Sequence, residues 1–286
     1  MTAILLDGEA LATEIKTQLA VRVAELVAGG VAPGLGTILV GDDAASARYV
    51  AKKHDDCAEI GISSAHEQLP SDVSQAELMA VIARFNSDPA IDAFLVQLPL
   101  PADLDEQAAL FAVDPDKDVD GLHPANLGRL VMGSPGPLPC TPAGIVELLT
   151  AYDVPVEGRH VVIIGRGLTI GRPLAVLMSL KRAGCNAAVT VVHTGVSDLS
   201  TYVRTADVVV AAAGRPGLVT PEMVKPGAAV VAAGTTWEGR KLLSDVVDEV
   251  AAVAGWITPR LGGVGPMTRA MLLRNAVRAA ERRAVA

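Results

Sequence analysis

The chain has 286 residues, a length that suits two ordinary domains or one large α/β domain. Hydrophobic residues make up 50% of it and charged residues 20%, as in soluble globular proteins and unlike disordered chains. Aromatic residues make up only 3%, which disfavours the stacking platforms that bind nucleic acids or carbohydrates. Apolar runs stay below the roughly 18 residues that cross a bilayer. The opening MTAILLDGEA lacks the features of a secretory signal, so we expect none.

The three cysteines, Cys57, Cys140 and Cys185, lie far apart in the sequence. Their spacing excludes a disulfide scaffold and a CxxC-type zinc or redox site. Few, scattered cysteines are typical of proteins in a reducing compartment. We therefore expect a cytoplasmic protein without a metal site.

The net charge of −8 is unevenly distributed along the chain. Residues 1–137 carry 8 basic and 21 acidic side chains, whereas residues 138–286 carry 16 basic and 11 acidic ones. The acidic total disfavours nucleic acid as a partner. The basic second half permits a ligand that bears phosphate groups, although it does not require one.

The first half of the chain alternates helical and strand-like patterns. In residues 9–28, apolar side chains recur on one helical stripe until Gly29 and Gly30 end it. Alternating strands and helices predict an α/β fold with a mostly parallel sheet and helices on both faces. The predicted elements are helices at 9–28, 46–61 and 74–86, and strands at 35–41, 62–69 and 91–100.

Residues 133–142 are rich in glycine and proline and are typical of a linker or crossing point. A second run of alternating elements follows them. We therefore expect two α/β lobes with a cleft between them. The predicted elements of the second run are helices at 143–151, 171–183, 198–205 and 267–283, and strands at 160–165, 188–193, 207–214 and 228–234.

A glycine-rich turn follows the strand at 160–165. It reads Gly165-Arg166-Gly167-Leu168-Thr169-Ile170-Gly171 and leads directly into a predicted helix. Glycines in this position let the backbone approach a pyrophosphate at the positive end of a helix. The context favours a Rossmann-type dinucleotide-binding domain, although a purely structural turn remains the alternative.

The next strand indicates which dinucleotide would bind. An NAD site usually has a carboxylate at the end of this strand, to accept hydrogen bonds from the ribose. Here the strand ends at Thr194, and no carboxylate appears before Asp198. Arg166 in the glycine turn and the Thr194 hydroxyl suit a 2′-phosphate, so NADP is favoured. The alternatives are an exposed surface cation for Arg166 and a turn residue for Thr194.

Polar residues share one face of the helix predicted at 46–61. Ser46, Tyr49 and Lys53 are spaced so that they lie on the same side. Lys52 and His54 flank Lys53, so spacing alone slightly favours a solvated basic corner over a functional cluster.

Two further polar signals occur at strand ends in the first half. Gln97 ends an apolar strand at the carboxyl edge, where α/β sheets place ligands, or else ties down the following loop. The run from Asp116 to Gly121 concentrates acidic side chains, and for Asp118 the turn chemistry of aspartate supports a structural role. Asp120 lies in the same run.

A glycine-dense loop, Leu261-Gly262-Gly263-Val264-Gly265-Pro266-Met267-Thr268, leads into the last predicted helix. Its glycines indicate backbone that approaches another group closely or adopts a positive φ. A helix-entry turn with Pro266 near the first helical position is the alternative.

These segments together resemble the bifunctional methylenetetrahydrofolate dehydrogenase/methenyltetrahydrofolate cyclohydrolase family. Six motifs occur in the family's order and span nearly the whole chain. They are Ser46-x-x-Tyr49-x-x-x-Lys53, Val96-Gln97-Leu98-Pro99-Leu100-Pro101, Lys117-Asp118-Val119-Asp120-Gly121, Pro139-Cys140-Thr141-Pro142, Gly165-Arg166 and Gly262-Gly263-Val264-Gly265-Pro266-Met267-Thr268.

The resemblance implies a role for each matching residue. It makes Lys53 the catalytic lysine, Tyr49 the residue against the folate ring, Gln97 the partner of the lysine and Asp120 the anchor of the pterin. These four would form the catalytic and substrate-binding site. The substrate site would also include Gly263, Val264 and Pro266.

The resemblance also assigns the cofactor site. Arg166 and Thr194 would hold the 2′-phosphate of NADP, and the backbone at Thr235 would lie near the nicotinamide end. The glycines of the turn complete the expected site, namely Gly165, Gly167 and Gly171. Three residues depart from the family pattern: Gly167 replaces a common serine, Leu261 a proline and Ala232 an aspartate.

The implied activity has two steps. Methylenetetrahydrofolate is oxidised to methenyltetrahydrofolate with NADP⁺, and water then opens the ring to give 10-formyltetrahydrofolate. The family places this activity in one-carbon metabolism and purine biosynthesis, and it implies a homodimer. The implied domains are a folate-binding catalytic domain at 1–137 plus 267–286 and a Rossmann-type NADP-binding domain at 138–266.

Two other readings remain open at this point. One is another two-lobed NADP dehydrogenase, such as a shikimate-dehydrogenase-like enzyme, in which Lys53 would serve a carbonyl or hydroxyl substrate. The other is a non-catalytic NADP-sensing module, which the presence of Lys53 and Asp120 disfavours.

Overall fold

The computed structural model describes residues 3–239 and 241–285, without the side chain of Trp237. The chain forms two compact units. Each unit has its own parallel sheet, so the mixed α/β prediction is confirmed. Unit 1 consists of residues 1–12, 130–134 and 139–268, and unit 2 of residues 13–129, 135–138 and 269–286.

The sheet of unit 1 has six strands in the order β1-β11-β8-β7-β5-β6, and all neighbouring pairs are parallel. After β5 the chain adds β6 on one side and then β7 and β8 on the other, so the strand order reverses at β5. Open α/β sheets bind ligands at such a switch point. The strands are β1 (Ile4–Leu5), β5 (His160–Ile164), β6 (Ala188–Val192), β7 (Val208–Ala211), β8 (Ala229–Ala232) and β11 (Trp256–Ile257). An antiparallel hairpin follows β8 and consists of β9 (Thr235–Glu238) and β10 (Lys241–Ser244).

The sheet of unit 2 has three parallel strands, with β2 between β3 and β4. Its central strand β2 is buried along its whole length, which explains its unbroken apolar sequence. The strands are β2 (Gly34–Val40), β3 (Ser63–Leu69) and β4 (Ala93–Val96).

The helices connect these strands in chain order. They are α1 (Gly8–Ala28), α2 (Ala44–Ile60), α3 (Gln75–Ser87), α4 (Glu106–Ala112), α5 (Pro124–Met132), α6 (Cys140–Ala151), α7 (Gly171–Ser179), α8 (Leu199–Val203) and α9 (Val264–Ala284), with short 3₁₀ helices at Pro221–Met223 and Asp248–Ala252. Ser74 caps α3 as predicted, in a reciprocal capping box with Glu77. None of the described helices is long and apolar enough to cross a membrane.

Two predicted elements end earlier in the structure than expected. The strand predicted at 91–100 ends at Val96, because Pro99 and Pro101 have no N–H for a ladder. The helix predicted at 171–183 ends at Ser179, where the carbonyl of Leu180 accepts N–H bonds from Arg182 and Asn186 instead of continuing the helix.

The N-terminal residues also differ from the expected division of the chain. Residues 1–12, which we expected in the first domain, belong to unit 1. The physical reason is that β1 pairs in parallel with β11, the last strand to join that sheet. The elements that the sequence analysis missed are β1, α4, α5, β9, β10 and β11.

Each unit has a separate hydrophobic core. In unit 1, alternate side chains of β5, β7 and β8 pack under α8 and the 3₁₀ helices. In unit 2, β2 and β4 pack against α3, where Phe85 and Phe94 meet edge to face at 5.5 Å between ring centroids. These cores fix the carboxyl ends of the parallel strands, where the polar residues described next are found.

Candidate active site

Helix α2 carries the first group of predicted site residues. It begins after Asp43, whose carboxylate accepts a hydrogen bond from the N–H of Ser46 at 2.7 Å. It ends at Gly61, whose φ of 84° lies in the left-handed region that glycine adopts without strain. The two caps fix the ends of α2 and therefore the positions of Tyr49 and Lys53 on it.

Lys53 is buried, with 3% of its surface exposed. Its Nζ donates a hydrogen bond to Oε1 of Gln97 at 3.0 Å and lies 5.0 Å from the centroid of the Tyr49 ring. The amide of Gln97 also donates to the carbonyl of Leu98 at 2.8 Å, which fixes its orientation. The structure therefore brings Tyr49, Lys53 and Gln97 together. The solvated-corner alternative holds for exposed Lys52 and is wrong for Lys53.

Two aspartates of the acidic loop at 116–121, Asp118 and Asp120, have different surroundings. Buried Asp118 accepts hydrogen bonds from the N–H groups of Gly121 and His123 and from the side-chain amide of Asn126, at 2.8–3.0 Å. The structural reading of Asp118 is thus confirmed.

Asp120, only partly buried, lies next in this loop. The segment before it runs beside β4, with Asp118 bridged in parallel to Phe94. This pairing places Asp120 at the carboxyl edge of β4, where Gln97 also lies.

A histidine pair lies beside the lysine and was missed by the sequence analysis. The buried hydroxyl of Thr37 is 2.8 Å from Nε2 of His54 and 2.8 Å from Nδ1 of His66. Burial, together with the neighbouring His66 and Lys53, lowers the pKa of His54 below its usual range. The three residues are far apart in sequence. The pairing of β2 with β3 brings His66 opposite Thr37, and His54 reaches the same hydroxyl from helix α2.

The glycine turn of unit 1 is shaped by close backbone contacts. A Cβ on Gly165, whose φ is 132°, would lie 2.2 Å from the carbonyl oxygen of Ala212. A Cβ on Gly171 would lie 2.2 Å from the carbonyl oxygen of Gly165. Both positions therefore require glycine, and the turn leads into the N-terminus of α7. Gly167 is different, because the space around its Cβ position is open.

The residues predicted to hold the 2′-phosphate are accessible. Arg166 and Thr194 are both exposed. Thr194 lies in a turn after β6 that His193 stabilises by accepting the N–H of Gly195 at 3.1 Å. Asp198, the next carboxylate along the chain, caps α8 by accepting the N–H of Thr201 at 3.3 Å. Because that carboxylate is engaged as a helix cap, the end of β6 suits a phosphate.

The second glycine-rich loop packs against the start of α1. The N–H of Glu9 donates to the carbonyl of Gly262 at 2.8 Å, and a Cβ on Gly8 would lie 1.9 Å from the carbonyl oxygen of Gly263. Gly263, Val264 and Pro266 are all buried. Helix α9 begins at Val264 rather than at the predicted 267, because Pro266 is tolerated in a first helical turn.

Asp245, which the sequence analysis did not single out, contacts the segments that follow β7 and β8. Asp245, which follows β10, is fully buried and accepts the N–H groups of Ala213 and Gly214 at 2.7 and 2.9 Å. The exposed Thr235 lies directly after Gly234, whose Cβ position would fall 1.9 Å from the Asp245 carboxylate. An aspartate after a short alternating strand carries no recognisable sequence signal.

The residues present fit a dinucleotide. Two obligatory glycines form a turn before a helix at the switch point of a parallel sheet, and an exposed guanidinium lies in that turn. Unit 2 separately holds a buried lysine bonded to a glutamine beside a tyrosine ring. This combination defines the class as a dinucleotide-dependent α/β enzyme.

The chain belongs to the tetrahydrofolate dehydrogenase/cyclohydrolase family. Residues 6–120 match the family model of the catalytic domain, and residues 139–284 match that of the NAD(P)-binding domain. A relative described as "Bifunctional protein FolD", from Syntrophotalea carbinolica, is 56% identical over 99% of this chain and 98% of its own.

Solved structures show the same fold. The bifunctional FolD enzyme of Campylobacter jejuni is 43% identical, with a TM-score of 0.94 over 98% of this chain and 99% of that one. The FolD enzyme of Trypanosoma brucei, determined with NADP cofactor and an inhibitor, is 39% identical, with a TM-score of 0.94 over 100% of both chains.

Proposed function

We propose that the protein oxidises 5,10-methylenetetrahydrofolate with NADP⁺ and then hydrolyses 5,10-methenyltetrahydrofolate to 10-formyltetrahydrofolate. The observation that carries this proposal is the buried amine of Lys53, held 3.0 Å from Gln97 and 5.0 Å from the centroid of the Tyr49 ring. It places a proton donor beside an aromatic surface, which suits a flat heteroaromatic substrate that must gain water. One-carbon metabolism is the setting of both reactions.

The folate substrate binds through residues of unit 2. Asp120 offers carboxylate oxygens that can accept two N–H bonds from the amino-pyrimidine edge of the pterin. The ring of Tyr49 supports the bound ring system by stacking. The family pattern adds Gly263, Val264 and Pro266 to the substrate-binding residues.

The oxidation needs orientation more than acid or base. Lone pairs on the two bridging nitrogens drive a hydride from the methylene carbon, and the substrate becomes a methenyl cation. When bound, NADP⁺ accepts this hydride at its nicotinamide ring. Tyr49 and Asp120 hold the pterin in one orientation, and this also fixes the orientation of the methylene carbon.

The hydrolysis requires a group that moves protons. Water adds to the methenyl carbon, and one carbon–nitrogen bond then breaks as the nitrogen gains a proton. The amine of Lys53, held by its hydrogen bond to Oε1 of Gln97, is the group that gives and takes this proton. Its 3% exposure excludes bulk water from that hydrogen bond. Lys53 is therefore the acid–base group of this step.

The dinucleotide binds to unit 1. Gly165, Gly167 and Gly171 leave the backbone open to the pyrophosphate, and the N–H groups at the start of α7 face it. The guanidinium of Arg166 and the hydroxyl of Thr194 both donate charge-assisted hydrogen bonds to the 2′-phosphate. The backbone at Thr235 lies toward the nicotinamide end.

The two domains follow from these assignments. Residues 1–137 plus 267–286 hold the folate, and residues 138–266 hold NADP⁺, with the first strand contributed to the NADP-binding sheet.

Replacing Lys53 by Met tests the proposal directly. Met keeps the length and most of the apolar stem but lacks the donor and the titratable proton. We expect cyclohydrolase activity to fall by at least ~10²-fold, the lower contribution of a positioned acid or base. Hydride transfer should fall less, so methenyltetrahydrofolate should accumulate while NADPH is still formed.

The neighbouring Lys52 offers a matched control, because it is exposed on the same helix. Lys52→Met should leave both activities near those of the unchanged protein. Native ring opening by Lys53→Met, after subtraction of spontaneous hydrolysis, would contradict the assignment of Lys53.

The setting of the enzyme is part of the proposal. We infer a cytoplasmic homodimer that supplies formyl groups to purine biosynthesis and binds neither nucleic acid nor membranes. The three described cysteines are buried and are not joined in a disulfide, which supports a reducing compartment. Light scattering on the purified protein tests the dimer, and a mass of 29.4 kDa would contradict it.

A further inference from the structure

We propose that Asp245 is a positioning residue for the nicotinamide half of the dinucleotide. It acts by bracing the backbone at the carboxyl ends of β7 and β8. This inference rests on the proposed NADP⁺ site and assigns a role to a residue outside the glycine turn and the 2′-phosphate contacts.

One carboxylate fixes the loop after β7 by accepting two hydrogen bonds. Oδ2 of Asp245 accepts the consecutive N–H groups of Ala213 and Gly214, at 2.7 and 2.9 Å. The other side of this loop is held by Thr236, whose hydroxyl donates to the carbonyl of Gly214 at 3.1 Å. Gly214 itself has a φ of 63°, so the carboxylate stabilises a turn that most residues do not adopt.

The same residue fixes the end of β8. The N–H of Asp245 donates to the carbonyl of Gly234 at 3.1 Å, and the carbonyl of Asp245 accepts the N–H of Val219 at 2.8 Å. The Cβ position of Gly234 lies 1.9 Å from the carboxylate, so only glycine lets the turn pack this closely. Two strand ends are thus tied to one residue, the end of β7 through its side chain and the end of β8 through its backbone.

The position of these Asp245 contacts in the sheet places them near the nicotinamide half of a bound dinucleotide. In the sheet order, β6 lies on one side of β5, and β7 and β8 lie on the other. A dinucleotide bound at the switch point has its adenosine half over the β6 side, so its nicotinamide half lies over the ends of β7 and β8. The carbonyl of Ala212, one residue before the braced N–H groups, abuts Gly165 of the phosphate-binding turn. The braced loop is therefore continuous with the dinucleotide site.

The carboxylate is kept at a cost to stability. Within the described residues, Oδ1 of Asp245 is buried without a hydrogen-bond partner. Burial raises the pKa of Asp245, whereas the N–H groups of Ala213, Gly214 and Arg215 oppose the rise. A buried polar atom of this kind needs an explanation, and holding a binding loop in place is one.

Binding of two related ligands tests the proposal. Calorimetry would give the dissociation constants of NADP⁺ and of 2′-phospho-ADP-ribose, which lacks the nicotinamide. For Asp245→Ala we expect the constant for NADP⁺ to rise about tenfold or more, since the loop loses its preorganisation. The constant for 2′-phospho-ADP-ribose should change by less than about threefold. Cyclohydrolase activity on methenyltetrahydrofolate, measured without dinucleotide, should be unchanged.

Two further variants separate positioning from a general structural role. Asp245→Asn keeps one oxygen for the two N–H groups and should restore NADP⁺ binding. Asp248→Ala removes an exposed aspartate nearby and should behave like the unchanged protein. If Asp245→Ala does not fold, Thr236→Val provides the test, because it removes only the hydroxyl hydrogen bond to the carbonyl of Gly214. It should weaken the binding of NADP⁺ but not that of 2′-phospho-ADP-ribose.

The outcomes distinguish this inference from the proposed function. Failure of the unchanged protein to bind NADP⁺ would refute the proposed function. Binding of NADP⁺ by the unchanged protein, with equal losses of both ligands in Asp245→Ala or with no loss at all, would overturn the role of Asp245 alone.

Discussion

At the scale of single residues, chemically similar side chains differ in role because their surroundings differ. Lys52 and Lys53 are adjacent, yet one is exposed and the other is buried against Gln97. Asp118 and Asp120 are two residues apart, yet the Asp118 carboxylate already accepts hydrogen bonds from two N–H groups of its loop and from the side-chain amide of Asn126 on α5. The members of each pair have the same side-chain chemistry, so burial and hydrogen bonding decide their roles.

The exposed guanidinium of Arg166 gives a prediction at this scale. A charge-assisted bond to the 2′-phosphate contributes about 1.5–3 kcal/mol. Arg166→Ala should therefore raise the Michaelis constant for NADP⁺ by roughly ten- to a hundredfold and leave that for NAD⁺ nearly unchanged. Steady-state kinetics with both cofactors measures this, with the exposed Arg159 replaced by Ala as a control. Equal losses with both cofactors would show that Arg166 does not contact the 2′-phosphate.

At the scale of elements, helix α2 is held in unit 2 by a buried ionic network. Asp56, 7% exposed, accepts hydrogen bonds from Nζ of Lys16 on α1 at 3.1 Å and from Nε of Arg269 on α9 at 2.6 Å. Glu59, one helical turn from Asp56, also bonds Lys16 but is about half exposed. These carboxylates outweigh the effect of burial and raise the pKa of Lys16. The network fixes α2, and with it the side chains of Tyr49 and Lys53.

Removing the carboxylate of Asp56 from this network should destabilise the protein. Asp56→Ala leaves Lys16 and Arg269 buried with less compensation, and breaking such a pair costs about 3–5 kcal/mol. We expect the free energy of unfolding, from urea titration, to fall by that amount. Glu59→Ala removes an exposed partner of the same lysine and should cost about 0–1 kcal/mol. If the two variants lost equal stability, the buried position of Asp56 would not be what matters.

At the scale of the whole molecule, the pH dependence of stability should reflect His54. The folded state lowers the pKa of His54 below its ordinary value of 6.5, first through burial and then through His66 and Lys53. Its contribution to stability is therefore present above pH 6.5 and is lost as the pH falls through the lower, folded-state pKa, because the unfolded chain takes up the proton first.

Urea unfolding at pH 7.5 and at pH 5.5 tests this sign. The unchanged protein should lose more stability between these pH values than His54→Gln, whose amide can still reach Thr37 but does not titrate. A loss of the same size in both proteins would mean that His54 does not contribute to the pH dependence.

The local sequence determined the α/β class, most of the longer helices and strands, and the positions of both glycine-rich loops. It could do so because apolar periodicity, the Ser74 cap and the glycine stops at residues 29, 30 and 61 act within a few residues. The motifs also determined the family, since their order along the chain is itself sequence information. Spacing alone, however, slightly favoured the wrong reading of Lys53.

Only the tertiary structure decided which side chains meet. The pairing of β1 with β11 adds Ile4 and Leu5 to the sheet of unit 1. The pairing of β2 with β3 brings His66 to Thr37, and His54 reaches Thr37 from helix α2. Lys53 reaches Gln97 across 44 positions, and Asp245 reaches Ala213 across 32. Such contacts depend on strand order and burial, which arise when the sheets assemble. A pattern read over neighbouring residues carries no information about them, and for that reason the brace at Asp245 became visible only in the folded chain.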